Sequence, residues 1–144
     1  MWPAVTASPG LLDTSAVLLR GRVVDPAVLP EIGCISAITI AELSAGPLLT
    51  DDPDERAHRQ AHLQQAESDF DPIPLDAEAA RAYARVAQAM RGRGRNVRAR
   101  AFDALIAAVA LANGLAVHTA NPDDFTGIPG LEVVDIRPGL APPA

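Results

Sequence analysis

Three apolar segments of the sequence each contain a single acidic residue. Asp13 lies in GLLDTSAVLL, Glu42 lies in ITIAELSAG, and Asp103 lies in AFDALIAAVALANG. None of these segments contains a lysine or an arginine. Because an unpaired carboxylate is costly in apolar surroundings, a compensating group must come from elsewhere.

A divalent cation is the natural compensator if the three acids meet in the fold. Carboxylates that are brought together repel and raise one another's pKa unless a cation neutralises them. Oxygen ligands select Mg²⁺ or Mn²⁺ over zinc, and such sites typically act on phosphate esters. The pattern therefore predicts a metal site, whereas any one of these acids taken alone fits an exposed helix position.

Two hydroxyl side chains, Thr14 and Ser15, follow Asp13 directly. They can orient a carboxylate or contact a phosphate group. They also suit the N-terminus of a helix, where hydroxyls cap free backbone amides. The two roles are compatible.

Short apolar strands alternate with helices along the chain. The predicted strands are 11–12, 34–36, 115–119 and 131–134, and the main predicted helices are 38–45, 51–69, 76–90 and 99–113. This alternation is typical of an α/β fold with a parallel sheet covered by helices. Sites in such sheets form at the carboxyl ends of strands, where Asp13 and the turn from Asn121 to Asp124 both fall.

The bulk composition is that of one compact domain. The chain has 144 residues, 49% of them hydrophobic, and one cysteine, which excludes an internal disulfide. No apolar run reaches the roughly 18–20 residues that cross a bilayer, and no secretory signal is evident, so we expect a cytoplasmic protein without a membrane partner. The net charge of −6 argues against a general nucleic-acid binder.

All twelve basic residues are arginines. The absence of lysine excludes a phosphate-binding P-loop and disfavours receiver domains and dehalogenase-type phosphatases, which need a lysine. A serine hydrolase is disfavoured because the GxSxG elbow is missing.

The ordered set LLDTSAVL, AEL, FDALIAAVALANG and HTANPDDFTGIPGLEVVDI resembles the PIN-domain family, and within it the VapC-type toxins. The likeness spans about residues 10–136. It implies a three-layer α/β/α sandwich with a central parallel sheet and an acidic cluster that binds Mg²⁺ or Mn²⁺. It also implies an endoribonuclease toxin that cleaves tRNA or rRNA to inhibit translation and growth, forms a homodimer, and is inhibited by a VapB-type antitoxin.

The resemblance also assigns site residues. The family's first three acids fall on Asp13, Glu42 and Asp103. Many members have an aspartate where this chain has Asn121, so Asn121 or Asp124 completes the metal site, with Asp124 also catalytic. If Asn121 weakens that site, the alternative is a non-catalytic PIN-like module that binds RNA or protein. DNA cleavage by the same site is a third possibility.

An arginine-rich stretch precedes the helix of Asp103. We expect its side chains to grip the RNA backbone together with Thr14 and Ser15, although a solvated linker has the same composition. The five side chains are Arg91, Arg93, Arg95, Arg98 and Arg100.

Several further expectations concern the periphery. A single PIN-like domain covers 1–144, with 1–9 as an N-terminal extension and 138–144 as a loose tail. Grooves between the helical segments 16–30 and 38–66 are candidate antitoxin docking sites. His58 and His62 have helical spacing but lack the glutamate of an HExxH motif, so they are interpreted as surface residues.

Overall fold

A parallel sheet lies at the centre of the molecule, which is described here from a computed structural model covering residues 8–143. Its strands are β1 (Pro9–Leu12), β2 (Ile32–Cys34), β3 (Ala116–Thr119) and β4 (Val133–Asp135). In this part of the chain the strand order is β2-β1-β3-β4, and every pair is parallel. Because β1 is central, the residue that follows it emerges in the middle of the sheet's carboxyl edge.

Helices connect β1 to β2 and β2 to β3, whereas a loop with a single 3-10 turn connects β3 to β4. The helices are α1 (Thr14–Leu19), α2 (Ala37–Ala45), α3 (Pro53–Asp69), α4 (Ala77–Gly92) and α5 (Ala101–Ala112). Single turns of 3-10 helix occur at Arg20–Arg22, Pro26–Val28, Gly46–Leu49, Pro122–Asp124 and Arg137–Gly139. Across residues 8–143, no helix combines the length and the apolar character needed to cross a membrane.

Two hydrophobic clusters cover the two faces of the sheet. Leu11 points to one face, where it packs in a cluster with buried residues of α4 and α5. Leu12 points to the other face and packs with residues of α1, α2 and α3. Because neighbouring strand residues face opposite sides, one Leu-Leu pair serves both layers. The predicted three-layer α/β/α sandwich is confirmed.

Gly10 in β1 is required by a histidine of the neighbouring strand. A Cβ at this position would lie 2.6 Å from the ring Nε2 of His118 and 2.8 Å from Pro30. The ring Nδ1 of His118 lies 2.8 Å from the carbonyl oxygen of Val28. His118 is therefore a buried structural residue, which anchors the segment before β2 to the sheet.

The C-terminal segment differs from the loose tail that the sequence predicts over 138–144. Gly139 is buried, and the backbone N–H of Ala141 donates to the carbonyl of Arg22 at 2.7 Å. Leu140 packs against the cluster beneath α1 and forms a bridge with Val23. The apolar side chain of Leu140 explains the docking. The predicted extension 1–9 lies outside the described residues except for Ser8 and Pro9, and Pro9 begins β1.

Candidate active site

Asp13 lies at the carboxyl end of β1 and caps α1. Its Oδ1 accepts hydrogen bonds from the Ser15 hydroxyl at 2.7 Å and the Ala16 N–H at 2.8 Å. Its Oδ2 accepts one from the Thr119 hydroxyl at 2.6 Å. Burial raises the pKa of Asp13, and these three hydrogen bonds oppose the rise. The carboxylate is thus buried, oriented and partly compensated.

The same hydroxyls join the ends of β1 and β3. The Ala120 N–H donates to the Ser15 hydroxyl at 3.0 Å, and the Asn121 N–H donates to the Thr119 hydroxyl at 2.9 Å. Each hydroxyl therefore accepts from the backbone and donates to the Asp13 carboxylate. The position of that carboxylate is set jointly by the first turn of α1 and by the end of β3.

Glu42 projects from α2 towards the same edge of the sheet. The Thr14 hydroxyl donates to its Oε1 at 2.7 Å and lies 3.1 Å from the hydroxyl of Thr39, which is fully buried. Burial raises the pKa of Glu42, the Thr14 hydrogen bond lowers it, and the charge of Asp13 raises it. Adjacent residues, Thr14 and Ser15, thus orient two different carboxylates.

Asp103 lies in the first turn of α5 and accepts no hydrogen bond from the residues that the structure describes. The pKa of Asp103 is raised to about 6, chiefly by burial and then by the charges of Asp124, Asp13 and Glu42. The charge of Arg100 has the opposite effect. Electrostatic coupling of this kind requires short separation. The fold therefore brings together four carboxylates from distant parts of the chain.

Asp124 is the fourth member of this group, and it forms an ion pair with Arg100. Its charge raises the pKa of both Asp13 and Asp103. Asn121, by contrast, is exposed at the start of the 3-10 turn, and only its backbone contacts the site among the described residues: its N–H donates to the Thr119 hydroxyl, and its carbonyl accepts from the Asp124 N–H. Of the two candidates for the fourth position, the structure couples Asp124 to the other acids.

The arginines of the 91–100 stretch lie in different surroundings. Arg93 donates to the carbonyl of Thr126, and Arg100 is paired with Asp124. The guanidinium of Arg98 forms no hydrogen bond within residues 8–143, and Arg91 is exposed. Arg98 and Arg100 line a cavity of about 330 Å³ together with Glu42 and Asp103. Basic side chains therefore border the acidic group.

The donor chemistry at this edge fits a hard divalent cation. All four acidic side chains offer oxygen, and burial and mutual repulsion raise the pKa of three of them. As the side chains stand, no three acidic, histidine or cysteine groups among residues 8–143 are arranged tightly enough to hold a metal ion. The side chains must therefore rearrange before three of these carboxylates can share one ion.

Comparison with known proteins gives this arrangement a context. Residues 11–131 match the PIN domain family. The chain belongs to the PIN domain family. It is 37% identical over 135 residues to Ribonuclease VapC5 of Mycobacterium tuberculosis, covering 92% of this chain and 97% of that protein. It is 31% identical over 102 residues to Ribonuclease VapC4 of the same organism, covering 71% and 75%.

A solved structure agrees with the sequence relatives. The fold matches a chain in the crystal structure of VapBC-5, a member of the VapBC family of toxin–antitoxin systems from Mycobacterium tuberculosis. The TM-score is 0.76 and the identity 35%, with 90% of this chain and 99% of that chain covered. The predicted resemblance to VapC-type PIN domains is thus confirmed.

Two residues of this PIN domain site were not identified from sequence. Thr119 is fully buried against Asp13, and Thr39 is fully buried against Thr14. The position of each residue gave a signal. Thr119 ends a predicted strand. Thr39 precedes Glu42 by three residues, so Thr39 and Glu42 lie on one face of the same helix. His58 and His62, in contrast, pair with each other at 3.2 Å on α3 and belong to no three-residue metal group in the described chain.

Proposed function

We propose that this chain is a metal-dependent endoribonuclease of the VapC type and the toxin of a toxin–antitoxin pair. The observation that carries the proposal is the meeting of Asp13, Glu42, Asp103 and Asp124 at one edge of the sheet of a PIN domain. Relatives bearing the name ribonuclease support the reaction class.

The four acids would hold Mg²⁺ or Mn²⁺. Such a cation, when bound, neutralises the carboxylates, lowers the pKa of water and stabilises charge on the leaving oxygen of a phosphodiester. Hydrolysis of this kind leaves a 5′-phosphate and a 3′-hydroxyl. Asn121 contributes little in this proposal, since Asp124 provides the fourth carboxylate.

The protein's own groups prepare the site in three ways. The Ser15 and Thr119 hydroxyls keep Asp13 in one orientation, and the Thr14 hydroxyl does the same for Glu42. Asp103 has no such partner among residues 8–143, so its side chain would be able to turn towards a cation. Arg98 lies beside the acids with a guanidinium that forms no hydrogen bond within the described residues, and it can bind a phosphate of the RNA backbone.

The decisive experiment is a cleavage assay on total RNA with a titration of Mg²⁺ and of Mn²⁺. We expect cleavage that EDTA abolishes and that Asp13→Asn reduces by about 1000-fold or more, because the fixed carboxylate of the site is lost. Glu67→Gln is the matched control, since Glu67 is exposed on α3 away from the site. Full activity of Asp13→Asn, or in excess EDTA, would refute the proposal.

Mapping the cleavage sites identifies the substrate. We propose structured RNA, either tRNA or rRNA, as the target, and single-stranded DNA of matching sequence serves as the comparison. RNA binding without cleavage at every metal concentration would favour the non-catalytic binding module instead. The end groups of the products provide a second check on the reaction.

A VapB-type antitoxin is the proposed protein partner, supported by the similarity to VapBC-5. A cavity of about 530 Å³ lies between α1, α2 and α3, lined by Leu18, Leu43 and His62 among others. This cavity is the proposed docking site. Co-expression with the neighbouring small gene should yield a stable complex, and Leu18→Asp should weaken it. A homodimer of the toxin is expected, which light scattering of the purified chain tests.

A further inference from the structure

One of the three phenylalanines is exposed beside the acidic group. Phe125 is fully buried, and Phe70 lies under the guanidinium of Arg20 at 4.8 Å from the ring centre. Phe102 is 55% exposed, although it shares helical spacing with the buried Ile106 and Val109. The exposed ring therefore contributes little to the core, and it directly precedes Asp103.

The surroundings of Phe102 combine three kinds of chemistry in one cavity. The cavity of about 330 Å³ is lined by Phe102, by the guanidinium-bearing Arg98 and Arg100, and by the acids Glu42 and Asp103. An aromatic face stacks on a nucleobase, a guanidinium binds a phosphate, and carboxylates surround the bond to be cleaved. A nucleotide carries both a base and a phosphate, which are the groups that an aromatic ring and a guanidinium bind.

The pairing state of that nucleotide follows from stacking. Bases within a duplex already have both faces covered by their neighbours, whereas bases in loops and single strands offer a free face. Arg100 is committed to Asp124, so Arg98 is the residue available for the phosphate. An unpaired nucleotide is therefore the ligand that this cavity fits.

We propose that Phe102 is a stacking platform for an unpaired nucleobase next to the cleaved phosphodiester, and that this ring contributes to the binding of single-stranded segments of RNA. The inference rests on the proposed ribonuclease function and adds a specificity residue to it. Phe102 touches the base and not the reacting atoms, so its effect appears in binding before it appears in chemistry.

The test measures binding without cleavage, in an Asp13→Asn background with Mg²⁺ present. The probes are a fluorescein-labelled RNA of about 12 nucleotides of mixed sequence, and the same strand annealed to its complement. We expect Phe102→Leu to weaken single-strand binding by about tenfold and to change duplex binding by less than about twofold. Phe102→Tyr, which keeps the aromatic ring, should restore single-strand affinity to within about twofold.

A spectroscopic measurement separates stacking from a purely structural role. In a Trp2→Phe, Phe102→Trp variant of the same background, the introduced tryptophan is the only one in the chain. Single-stranded RNA should quench its fluorescence, and duplex RNA should quench it much less.

Unchanged single-strand affinity in Phe102→Leu, or equal quenching by single strand and duplex, would overturn the stacking proposal. Failure of the proposed function is a different result, because it appears as wild-type protein that cleaves no RNA. Circular dichroism of each variant checks that the fold is retained, which the exposure of Phe102 leads us to expect.

Discussion

The carboxylate of Asp13 lies at the end of a buried strand and accepts three hydrogen bonds, whereas that of Asp103 lies on a helix and accepts none from residues 8–143. Both belong to the same group of acids. Asp13 is only 4% exposed, yet its neighbours stabilise its charge; Asp103 is more open, yet three acids oppose its charge. The Asp13 carboxylate is therefore held in one orientation by hydrogen bonds, whereas the Asp103 carboxylate is opposed by the charges of neighbouring acids.

This difference has an energetic meaning. Groups that orient Asp13 also hold α1 and two strands together, so they contribute to stability as well as to the site. Asp103 contributes a charge whose cost Arg100 offsets in part, and a bound cation would offset it further. A protein can carry such a cost at a functional site when the rest of the fold compensates it.

The largest difference between Asp13 and Asp103 is expected in how their substitution changes the free energy of unfolding. Asp13→Ala removes a helix cap and the acceptor of the Thr119 hydroxyl proton, so the free energy of unfolding should fall by about 2 kcal/mol. Asp103→Ala removes an opposed charge and should raise it by about 1 kcal/mol at pH 8 in EDTA. Urea unfolding of both variants measures this. Equal destabilisation by the two substitutions would contradict the claim that Asp13 stabilises the fold and that the charge of Asp103 does not.

Glu42, like Asp13, is oriented by a hydroxyl group, and removal of that hydroxyl tests whether the orientation matters for cleavage. Thr14→Val keeps the shape of the side chain but removes the hydroxyl that donates to Glu42. We expect cleavage to fall by about tenfold, which corresponds to about 1.4 kcal/mol, while RNA affinity stays unchanged. Ser44→Ala, on the exposed face of α2, is the control. Loss of RNA affinity with unchanged turnover would instead place Thr14 in substrate binding.

The pH dependence of stability isolates Asp103. Its pKa is about 6 in the folded protein and near 3.8 when unfolded, so the folded state binds more protons between these values. Its stabilising contribution is therefore complete below about pH 4 and is lost as pH rises through 6. The shift corresponds to roughly 3 kcal/mol, which solvent screening of this half-exposed group reduces to about 1 kcal/mol.

Unfolding of wild type and Asp103→Asn in EDTA at pH 4 and pH 7 measures this contribution. The wild type should lose about 1 kcal/mol more than the variant between the two pH values. Parallel pH profiles for the two proteins would show that Asp103 does not titrate with a raised pKa.

The smallest expected effect concerns Arg100, whose charge lowers the pKa of Asp103. Arg100→Gln should raise the pKa of Asp103 above 6 and also release Asp124 from its ion pair. Arg98→Gln should leave that pKa nearly unchanged but flatten the salt dependence of RNA binding by about one phosphate contact. NMR titration of the Asp103 carboxyl carbon compares the two variants. If Arg98→Gln raised the pKa of Asp103 and Arg100→Gln flattened the salt dependence of RNA binding, the two arginines would have the opposite roles.

Much of the fold follows from sequence, because alternating apolar strands and capped helices leave few arrangements. Asp13 was identified as a site residue from its position after an apolar strand. The three acids were recognised as the lone charges of apolar segments, which is a local signal.

The features that sequence could not supply depend on contacts between distant segments. That Thr119 orients Asp13 is settled by the pairing of β1 with β3, across 106 positions of the chain. That Asp124 rather than Asn121 couples to the other acids depends on the course of one 3-10 turn. The exposure of Phe102 could not be predicted from its spacing. Residues in the first turn of a helix follow the same periodicity as residues in its middle, but different parts of the fold pack against them.

The most direct test of the account is paramagnetic broadening of side-chain carboxyl carbons by Mn²⁺, followed by carbon-detected NMR. Substoichiometric Mn²⁺ should broaden the signals of Asp13, Glu42, Asp103 and Asp124 together and leave exposed acids such as Glu67 sharp. Broadening spread over many surface acids, or confined to residues outside this group, would contradict the claim that these four carboxylates form one cation site.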